Sequence, residues 1–231
     1  MKGKLYGIGV GPGDPELMTC KAVRLLKKCE IIVIPKSNSG INVAFEVAKG
    51  AVPEIENKKV YKVNMPMTKD KVILKEAHEK GASSIMRWLE EGDVAFLTLG
   101  DPSIYSTYWY LHQKVQEMGG DAQIIPGIPS FCAAAATLNI NLAEGREMLH
   151  IIPASYELES AMKLLGTKVF MKAGSNFHNM QKVIKESNIK QTVKMVENCG
   201  MEQEKKYHSI EELPEKAGYF SLLVIKEQRE K

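Results

Sequence analysis

The sequence has little excess of either charge. Its 231 residues include 31 Lys and Arg against 28 Asp and Glu, a formal net charge of +3. This balance gives no reason to expect a nucleic-acid-binding protein, so any anionic partner must be met by a local basic patch. The sequence also lacks an apolar run of the roughly 18 residues that a membrane span needs. We therefore expect neither a nucleic acid nor a membrane as the partner.

Cysteine is scarce, and its spacing does not suit a metal site. The sequence has no CxxC pair, and its four cysteines are Cys20, Cys29, Cys132 and Cys199. We therefore expect neither a zinc site nor a disulfide framework, and we predict a reduced, cytoplasmic location. The basic residues 1–4 are followed by an apolar stretch that several glycines and Pro12 interrupt, so we do not expect a signal peptide.

Short apolar segments alternate with helical patterns over residues 5–125. Residues 5–10 and 31–34 are typical of buried parallel strands, and the helix between them places apolar residues at i, i+4, i+7, i+8 and i+11 from Met18. A helix near residues 41–51 and further strands near 60–63, 94–98 and 122–125 continue this order. The pattern predicts an α/β unit with five strands in a mainly parallel sheet.

The strongest break in the middle of the chain is Pro126-Gly127-Ile128-Pro129. Behind it, a helix near residues 131–138 precedes new strands near 149–152, 168–171, 193–197 and 219–225. The short charged segment 204–208 indicates a hairpin, and hence a mixed second sheet. Because the chain is about one and a half times the usual domain length of about 150 residues, we predict two α/β domains, residues 1–127 and residues 128–231.

Three loops rich in glycine or proline follow predicted parallel strands, where open α/β sheets bind their ligands. The first, residues 7–15, contains Gly-x-Gly-x-Gly, but the acid that would bind ribose about 20 residues further on is missing. Its glycines equally suit a turn with positive φ. The second loop, residues 98–107, places Asp101 at the mouth of a strand, either as a helix N-cap or facing the ammonium or sulfonium group of a ligand. The third is the proline-rich break with the alanine-rich helix behind it.

Three motifs in these loops together resemble the tetrapyrrole (corrin/porphyrin) methyltransferase family. They are residues 10–17 (VGPGDPEL), 100–102 (GDP) and 126–130 (PGIPS). The resemblance extends over nearly the whole chain and implies two α/β domains with S-adenosylmethionine in the cleft between them, and a homodimer. Residues 5–11, 34–37, 100–108 and 130–135 are most similar to members that methylate C-20 of precorrin-2, or of its cobalt-bearing counterpart cobalt-factor II, in cobalamin biosynthesis. The resemblance therefore implies this reaction, with a tetrapyrrole as the substrate.

The resemblance also implies which residues contact S-adenosylmethionine. In the first domain and at the hinge they are Pro12, Gly100, Asp101, Ile104, Tyr105 and Ser130. In the second domain they are Met171, Asn198, Cys199, Phe220, Ser221 and Leu222. Pro129 departs from the family pattern, since many relatives have Thr there, and this change removes a hydroxyl group and an amide donor.

Methyl transfer from a sulfonium is an in-line displacement, so the protein must chiefly align the reacting atoms in a dry cleft. The methylated carbon must then lose a proton, and the candidate bases are Asp101, Tyr108 and Glu144, with Asp101 first. The five histidines lack metal-ligand spacing, so we expect no metal site. Because the substrate bears many carboxylates, we expect a basic rim with contributions from Lys36, Arg87, Arg146 and Lys172.

Two alternatives stay open at this point. A member of the same family could act at another ring carbon, which substrate assays distinguish. The glycine-rich residues 7–13 could instead hold a phosphate in a nucleotide-binding module without catalysis. Such a module would bind ATP or NAD but not S-adenosylhomocysteine.

Overall fold

The computed structural model describes residues 3–36, 42–153, 155–187 and 191–227. The chain divides into two compact units, Met1–Pro129 (unit 1) and Ser130–Lys231 (unit 2). The predicted domain boundary after residue 127 lies two residues before this division, and the independence of two domains stays a prediction.

Unit 1 contains a five-stranded parallel sheet in the described part of the chain. Its strands in the spatial order of the sheet are β3 (Lys59–Val63), β2 (Ile31–Pro35), β4 (Val94–Thr98), β1 (Leu5–Gly9) and β5 (Ala122–Ile125). Every pairing in this sheet is parallel. The neighbouring strands β2 and β4 are apolar except for Thr98 at the end of β4, because both faces of the sheet are covered by helices.

The helices of unit 1 cover the two faces of the sheet in pairs. They are α1 (Cys20–Lys28), α2 (Val43–Ala51), α3 (Lys71–Trp88) and α4 (Tyr108–Glu117). Alternate residues of β2 point to opposite sides, so that Ile32 joins a core with α1 and α2, whereas Val33 joins a core with α3 and α4. Short 3-10 helices at Pro15–Leu17 and Pro53–Asn57 complete the unit.

Local capping accounts for where these helices begin. The Asn42 side chain accepts a hydrogen bond of 3.0 Å from the amide of Phe45, which starts α2 at Val43. The predicted start of this helix at Ile41, and Ser37 of the family motif, lie outside the described residues. The side chain of Thr19 accepts from the amide of Ala22 in the same way and starts α1.

Unit 2 is built around a mixed sheet, as predicted. Its strands in the spatial order of the sheet are β6 (Leu149–Pro153), β7 (Thr167–Met171), β10 (Ser221–Glu227), β8 (Gln191–Glu197) and β9 (Lys205–Tyr207). β6 and β7 are parallel, whereas the other pairings are antiparallel. The predicted hairpin is the β8–β9 pair, but β10 begins two residues later than predicted because Tyr219 and Phe220 form a turn.

The helices of unit 2 are shorter than the longest helix of unit 1. They are α5 (Ser130–Thr137), α6 (Leu158–Met162) and α7 (Phe177–Glu186), with a 3-10 helix at Ala173–Asn176. α7 packs its apolar side on the sheet through Phe177, Met180 and Ile184. Throughout the described ranges, none of the helices is both long and apolar enough to cross a membrane.

Candidate functional site

The topology of unit 1 creates a crevice at the carboxyl edge of its sheet. β1 and β4 are neighbours, yet the chain after β1 continues to α1 on one face, while the chain after β4 continues to α4 on the other face. Where two neighbouring strands send their connections to opposite faces, open α/β sheets bind ligands. The loop of Pro12 and the loop of Gly100 border this crevice, because they directly follow β1 and β4.

The loops at this edge meet through their backbones. Gly11 and Gly100 form an isolated antiparallel bridge, in which the amide of Gly100 donates to the carbonyl oxygen of Gly11 at 2.7 Å. A Cβ atom added to Gly9 would lie 2.6 Å from the carbonyl oxygen of Gly100, and one added to Gly127 would lie 2.2 Å from the same oxygen. These approaches are too close for any side chain, so the glycines are required by the packing of the three loops.

Gly100 also leaves space on its outer side. Its φ is +70°, and a Cβ built on it would meet no atom within 4 Å. Ile104 and Tyr105 follow in the same loop, Ile104 half-buried and Tyr105 48% exposed. Tyr105 has a φ of +48°, a strained conformation for a non-glycine residue and one that is common at ligand sites. The loop of Gly100 therefore presents an open, backbone-lined surface, whereas Pro12 is buried.

The Asp101 side chain is turned into the protein. It is only 9% exposed, and its Oδ2 accepts a hydrogen bond of 3.0 Å from the amide of Gly127. Its Oδ1 accepts from the amide of Ser103 at 2.8 Å and from the Ser103 hydroxyl group. The N-cap interpretation is wrong, because α4 begins at Tyr108 and its N-cap residue is Thr107.

Tyr108 lies in the core of unit 1. Its side chain is 0% exposed and packs on Phe96, and its Oη lies 3.0 Å from Nδ1 of His112. Burial raises the pKa of the Tyr108 hydroxyl far above its usual value of 10. A Cβ on Gly7 would lie 2.0 Å from the Tyr108 ring, so the strand packs directly on the tyrosine. This placement gives Tyr108 a structural role and no route to a substrate.

The predicted contact residues of unit 2 gather at one edge of its sheet. Met171 ends β7 and pairs with Leu222 of β10, while the amide of Asn198, just after β8, donates to the carbonyl oxygen of Phe220 at 3.0 Å. Antiparallel pairing of β10 with both neighbours brings these chain segments together. Asn198 and Lys172, the residue after Met171, have positive φ angles of +51° and +59°.

The side chains in this group differ in accessibility. Cys199, Ser221 and Leu222 are all less than a tenth exposed, whereas Phe220 is 37% exposed and Met171 is half-buried. Burial also raises the pKa of the Cys199 thiol, which keeps it protonated. Ser130 is half-buried at the start of α5. In unit 2 we therefore expect Met171 and Phe220 to offer side chains to a ligand and the buried residues to offer main-chain groups.

Glu197 lies beside the predicted contact residues of unit 2, and sequence reasoning did not single it out. Its Oε1 accepts from the amide of Gly218 at 3.0 Å and lies 3.1 Å from the hydroxyl of Ser221, and its Oε2 accepts from the hydroxyl of Tyr207 at 2.9 Å. Burial and this carboxylate together raise the pKa of Tyr207. The available signal was a glutamate at the end of a strand, immediately before Asn198.

The expected basic rim is only partly assembled. Lys36 directly follows β2 at the carboxyl edge of its sheet, and Lys172 follows β7 with its Nζ 5.6 Å from the centre of the Tyr219 ring. Arg87 lies in the last turn of α3, which runs opposite to the strands, and Arg146 precedes β6. Both arginines therefore lie at the amino edges of the sheets, as does Glu144, the third candidate base. These three residues lie at the edges opposite the predicted donor contacts, and their roles stay predictions.

The chain is similar to known proteins over most of its length. The family model for the tetrapyrrole (corrin/porphyrin) methylases matches residues 4–214. The probable cobalt-precorrin-2 C(20)-methyltransferase of Methanocaldococcus jannaschii is 39% identical over 183 residues, 79% of this chain and 77% of that protein. The precorrin-2 C(20)-methyltransferase of a Sinorhizobium species is 28% identical over 96% of this chain and 95% of that protein.

Solved structures share the fold. The uroporphyrin-III C-methyl transferase of Thermus thermophilus, complexed with S-adenyl homocysteine, has a TM-score of 0.69 to this chain at 18% identity, over 97% of each chain. This likeness confirms the predicted α/β fold with a parallel first sheet and a mixed second sheet. The family model and the relative from Methanocaldococcus jannaschii confirm the resemblance seen in the sequence: the chain belongs to the tetrapyrrole (corrin/porphyrin) methylases.

Proposed function

We propose that this protein transfers the methyl group of S-adenosylmethionine to C-20 of precorrin-2 or cobalt-factor II, a step of cobalamin biosynthesis. The observation that carries the proposal is the 39% identity to a probable cobalt-precorrin-2 C(20)-methyltransferase over 79% of this chain. The second relative, which acts on precorrin-2 according to its name, supports the same ring position. The names of these two relatives include both the cobalt-bearing and the cobalt-free substrate.

The loops of unit 1 fit S-adenosylmethionine as a donor. The open space beside Gly100 admits a ligand, and the backbone carbonyl oxygens of glycine-rich loops suit the positive sulfonium and ammonium groups of the donor. We place the donor against Pro12, Gly100, Asp101, Ile104 and Tyr105. From unit 2 and the hinge, the proposed contributors are Ser130, Met171, Asn198, Cys199, Phe220, Ser221 and Leu222.

The same loops suit a phosphate poorly. The amide of Val10 donates to the carbonyl oxygen of Thr98 at 3.0 Å, and the amide of Gly11 donates to that of Gly100 at 3.3 Å. A phosphate-binding loop needs its amides directed at the anion. These two amides are used within the protein, which favours a methyl donor over a nucleotide phosphate.

The protein contributes mainly by positioning. When bound, the donor supplies an electrophilic methyl group, and the residues around it align that group with the attacking ring carbon. Alignment in a dry site supplies up to roughly 7–11 kcal/mol of the barrier in favourable cases. The carboxylate of Asp101 is engaged within the protein, Tyr108 is buried and Glu144 lies at the other edge of its sheet. The proposal therefore assigns proton removal from C-20 to none of these three residues.

We propose that the substrate carboxylates are met by Lys36 and Lys172. Both lie at carboxyl edges of their sheets, whereas Arg87 and Arg146 do not. The resemblance further implies a homodimer and a cytoplasmic location, and both stay predictions; light scattering on the purified protein tests the first.

The deciding experiment is incubation of the protein with labelled S-adenosylmethionine and each of the two tetrapyrroles, followed by NMR of the product. We expect the new methyl group at C-20 of at least one substrate. A methyl group at another ring carbon would assign a different reaction of the same family to this chain. Calorimetry with S-adenosylhomocysteine, ATP and NAD is the matched binding test, and binding of ATP or NAD alone would contradict the proposal.

A further inference from the structure

The carboxylate of Asp101 connects two loops that are far apart in the sequence. We propose that Asp101 is a positioning residue, whose carboxylate holds the Gly127 loop against the Gly100 loop in the shape that the donor requires. This inference rests on the proposed function and deepens it, since it replaces the expected base with a structural link inside the donor site.

Both oxygens of the Asp101 carboxylate accept hydrogen bonds from within unit 1. Oδ2 accepts from the amide of Gly127, 26 residues further along the chain, and Oδ1 accepts from the amide and hydroxyl of Ser103. Because the carboxylate is 9% exposed and both of its oxygens already accept bonds from inside the protein, it is poorly placed to take a proton from a substrate.

At the point where they meet, the three loops contact one another through glycine backbones. Gly9, Gly100 and Gly127 touch through backbone atoms alone, with no room for a Cβ on Gly9 or Gly127. The pairing of β5 with β1 ends at Ile125, two residues before Gly127. Directional hydrogen bonds must therefore set the position of the third loop, and the bond from the Gly127 amide to Asp101 provides one at the contact.

An amide side chain cannot replace the carboxylate of Asp101. Oδ1 and Oδ2 both accept from N–H or O–H donors. Asparagine offers one acceptor oxygen and one NH2 group, so its NH2 would face the amide of either Gly127 or Ser103, donor against donor. Asp101→Asn therefore breaks one side of the link, although its size is unchanged.

The test compares Asp101→Asn with Ser103→Ala in the full chain. Ser103→Ala removes the hydroxyl donor but keeps the bond to Gly127, and Ser103 is exposed. We expect Asp101→Asn to weaken S-adenosylhomocysteine binding and raise the KM for S-adenosylmethionine by at least about tenfold, while Ser103→Ala changes both less than about threefold. The pH profile of kcat should keep its shape in Asp101→Asn.

Two results would overturn the inference. One is a fall in kcat for Asp101→Asn with loss of a limb of its pH profile and unchanged donor affinity, the behaviour of a catalytic base. The other comes from amide hydrogen exchange of the wild-type protein, which needs no variant to fold. We expect the Gly127 amide to be protected in the wild type and to lose protection in Asp101→Asn, so an unprotected wild-type amide contradicts the link.

These readouts separate the inference from the proposed function. If the wild-type protein binds no S-adenosylhomocysteine, the proposed function fails. The exchange of the Gly127 amide still decides whether Asp101 holds the loop, because that measurement requires neither the donor nor a tetrapyrrole.

Discussion

The candidate site residues of the two units are held in place by different means. In unit 1, glycine backbones touch one another at the carboxyl edge of a parallel sheet, and one aspartate links two of the loops. In unit 2, strand pairing and the side chain of Glu197 arrange the contact residues of a mixed sheet. Backbone contact requires glycine at set positions and leaves a motif in the sequence, whereas a side-chain link leaves only one polar residue among many.

The largest effect is expected from Gly127→Ala in unit 1. The added Cβ would lie 2.2 Å from the carbonyl oxygen of Gly100, and backbone atoms cannot move aside as a flexible side chain does. We expect the free energy of unfolding to fall by about 3 kcal/mol, at the upper end of overpacking costs, and S-adenosylhomocysteine binding to be lost. Urea denaturation and calorimetry measure the two effects.

Gly100→Ala is the matched control. Its Cβ would meet no atom within 4 Å, so only the positive φ of +70° opposes the substitution, at a cost of about 1–2 kcal/mol. If this variant lost as much stability as Gly127→Ala, backbone contact would not be what requires glycine at residue 127.

An intermediate effect is expected from Glu197→Ala in unit 2. The change leaves the amide of Gly218 and the hydroxyl of Tyr207 without their acceptor, so we expect a loss of about 2 kcal/mol in the free energy of unfolding. The pKa of Tyr207 should fall toward its usual value of 10 but stay above it, because burial also raises it. Ultraviolet titration of the tyrosines checks the shift.

Glu202→Ala provides the control for this prediction, because Glu202 is exposed in the same loop region. It should leave both the unfolding free energy and the tyrosine titration unchanged. If the two substitutions had equal effects, the hydrogen bonds accepted by Glu197 would not be the cause of the lost stability.

The smallest effect is expected from Glu147→Gln, at the amino edge of the unit 2 sheet. Burial pushes the pKa of Glu147 upward, but hydrogen bonds from Thr167 and Lys226 outweigh it and hold the pKa below its usual 4.5. An acid with a lowered pKa stabilises the folded state above its usual pKa, and this contribution disappears as the pH falls through the folded-state pKa. At pH 7 we expect the free energy of unfolding of the wild type to be about 1 kcal/mol larger than that of the variant.

Urea denaturation of both proteins between pH 7 and pH 3 checks this sign. The difference in unfolding free energy between the wild type and Glu147→Gln should stay constant down to about pH 5.5 and shrink below that value. Donor affinity should be unchanged, since Glu147 lies away from the edge that holds Met171. A difference that grows as the pH falls would contradict the assigned direction of the pKa shift.

The strands, the helices and the loops that carry the candidate site could be predicted because their signals are local. The strand order along the chain and the loops at residues 7–15 and 98–107 follow from apolar periodicity and glycine-rich segments within short windows, and three short motifs carry the family resemblance. The sequence did not reveal the surroundings of single side chains. Tyr108 begins a helix next to the right loop but faces the core, and α3 carries Arg87 to the opposite edge of the sheet.

Local pattern was thus sufficient for the elements and the α/β class of this protein, since apolar periodicity and glycine spacing belong to neighbouring residues, and three short motifs carried the resemblance to its family. The tertiary structure alone decided the hydrogen-bond partners of Asp101 and Glu197. Asp101 accepts from the amide of Gly127, 26 residues away in the chain, and Glu197 accepts from the amide of Gly218, 21 residues away. Such pairs form only when separate strands and loops have packed, because hydrogen bonding depends on distance and direction in space and not on separation along the chain.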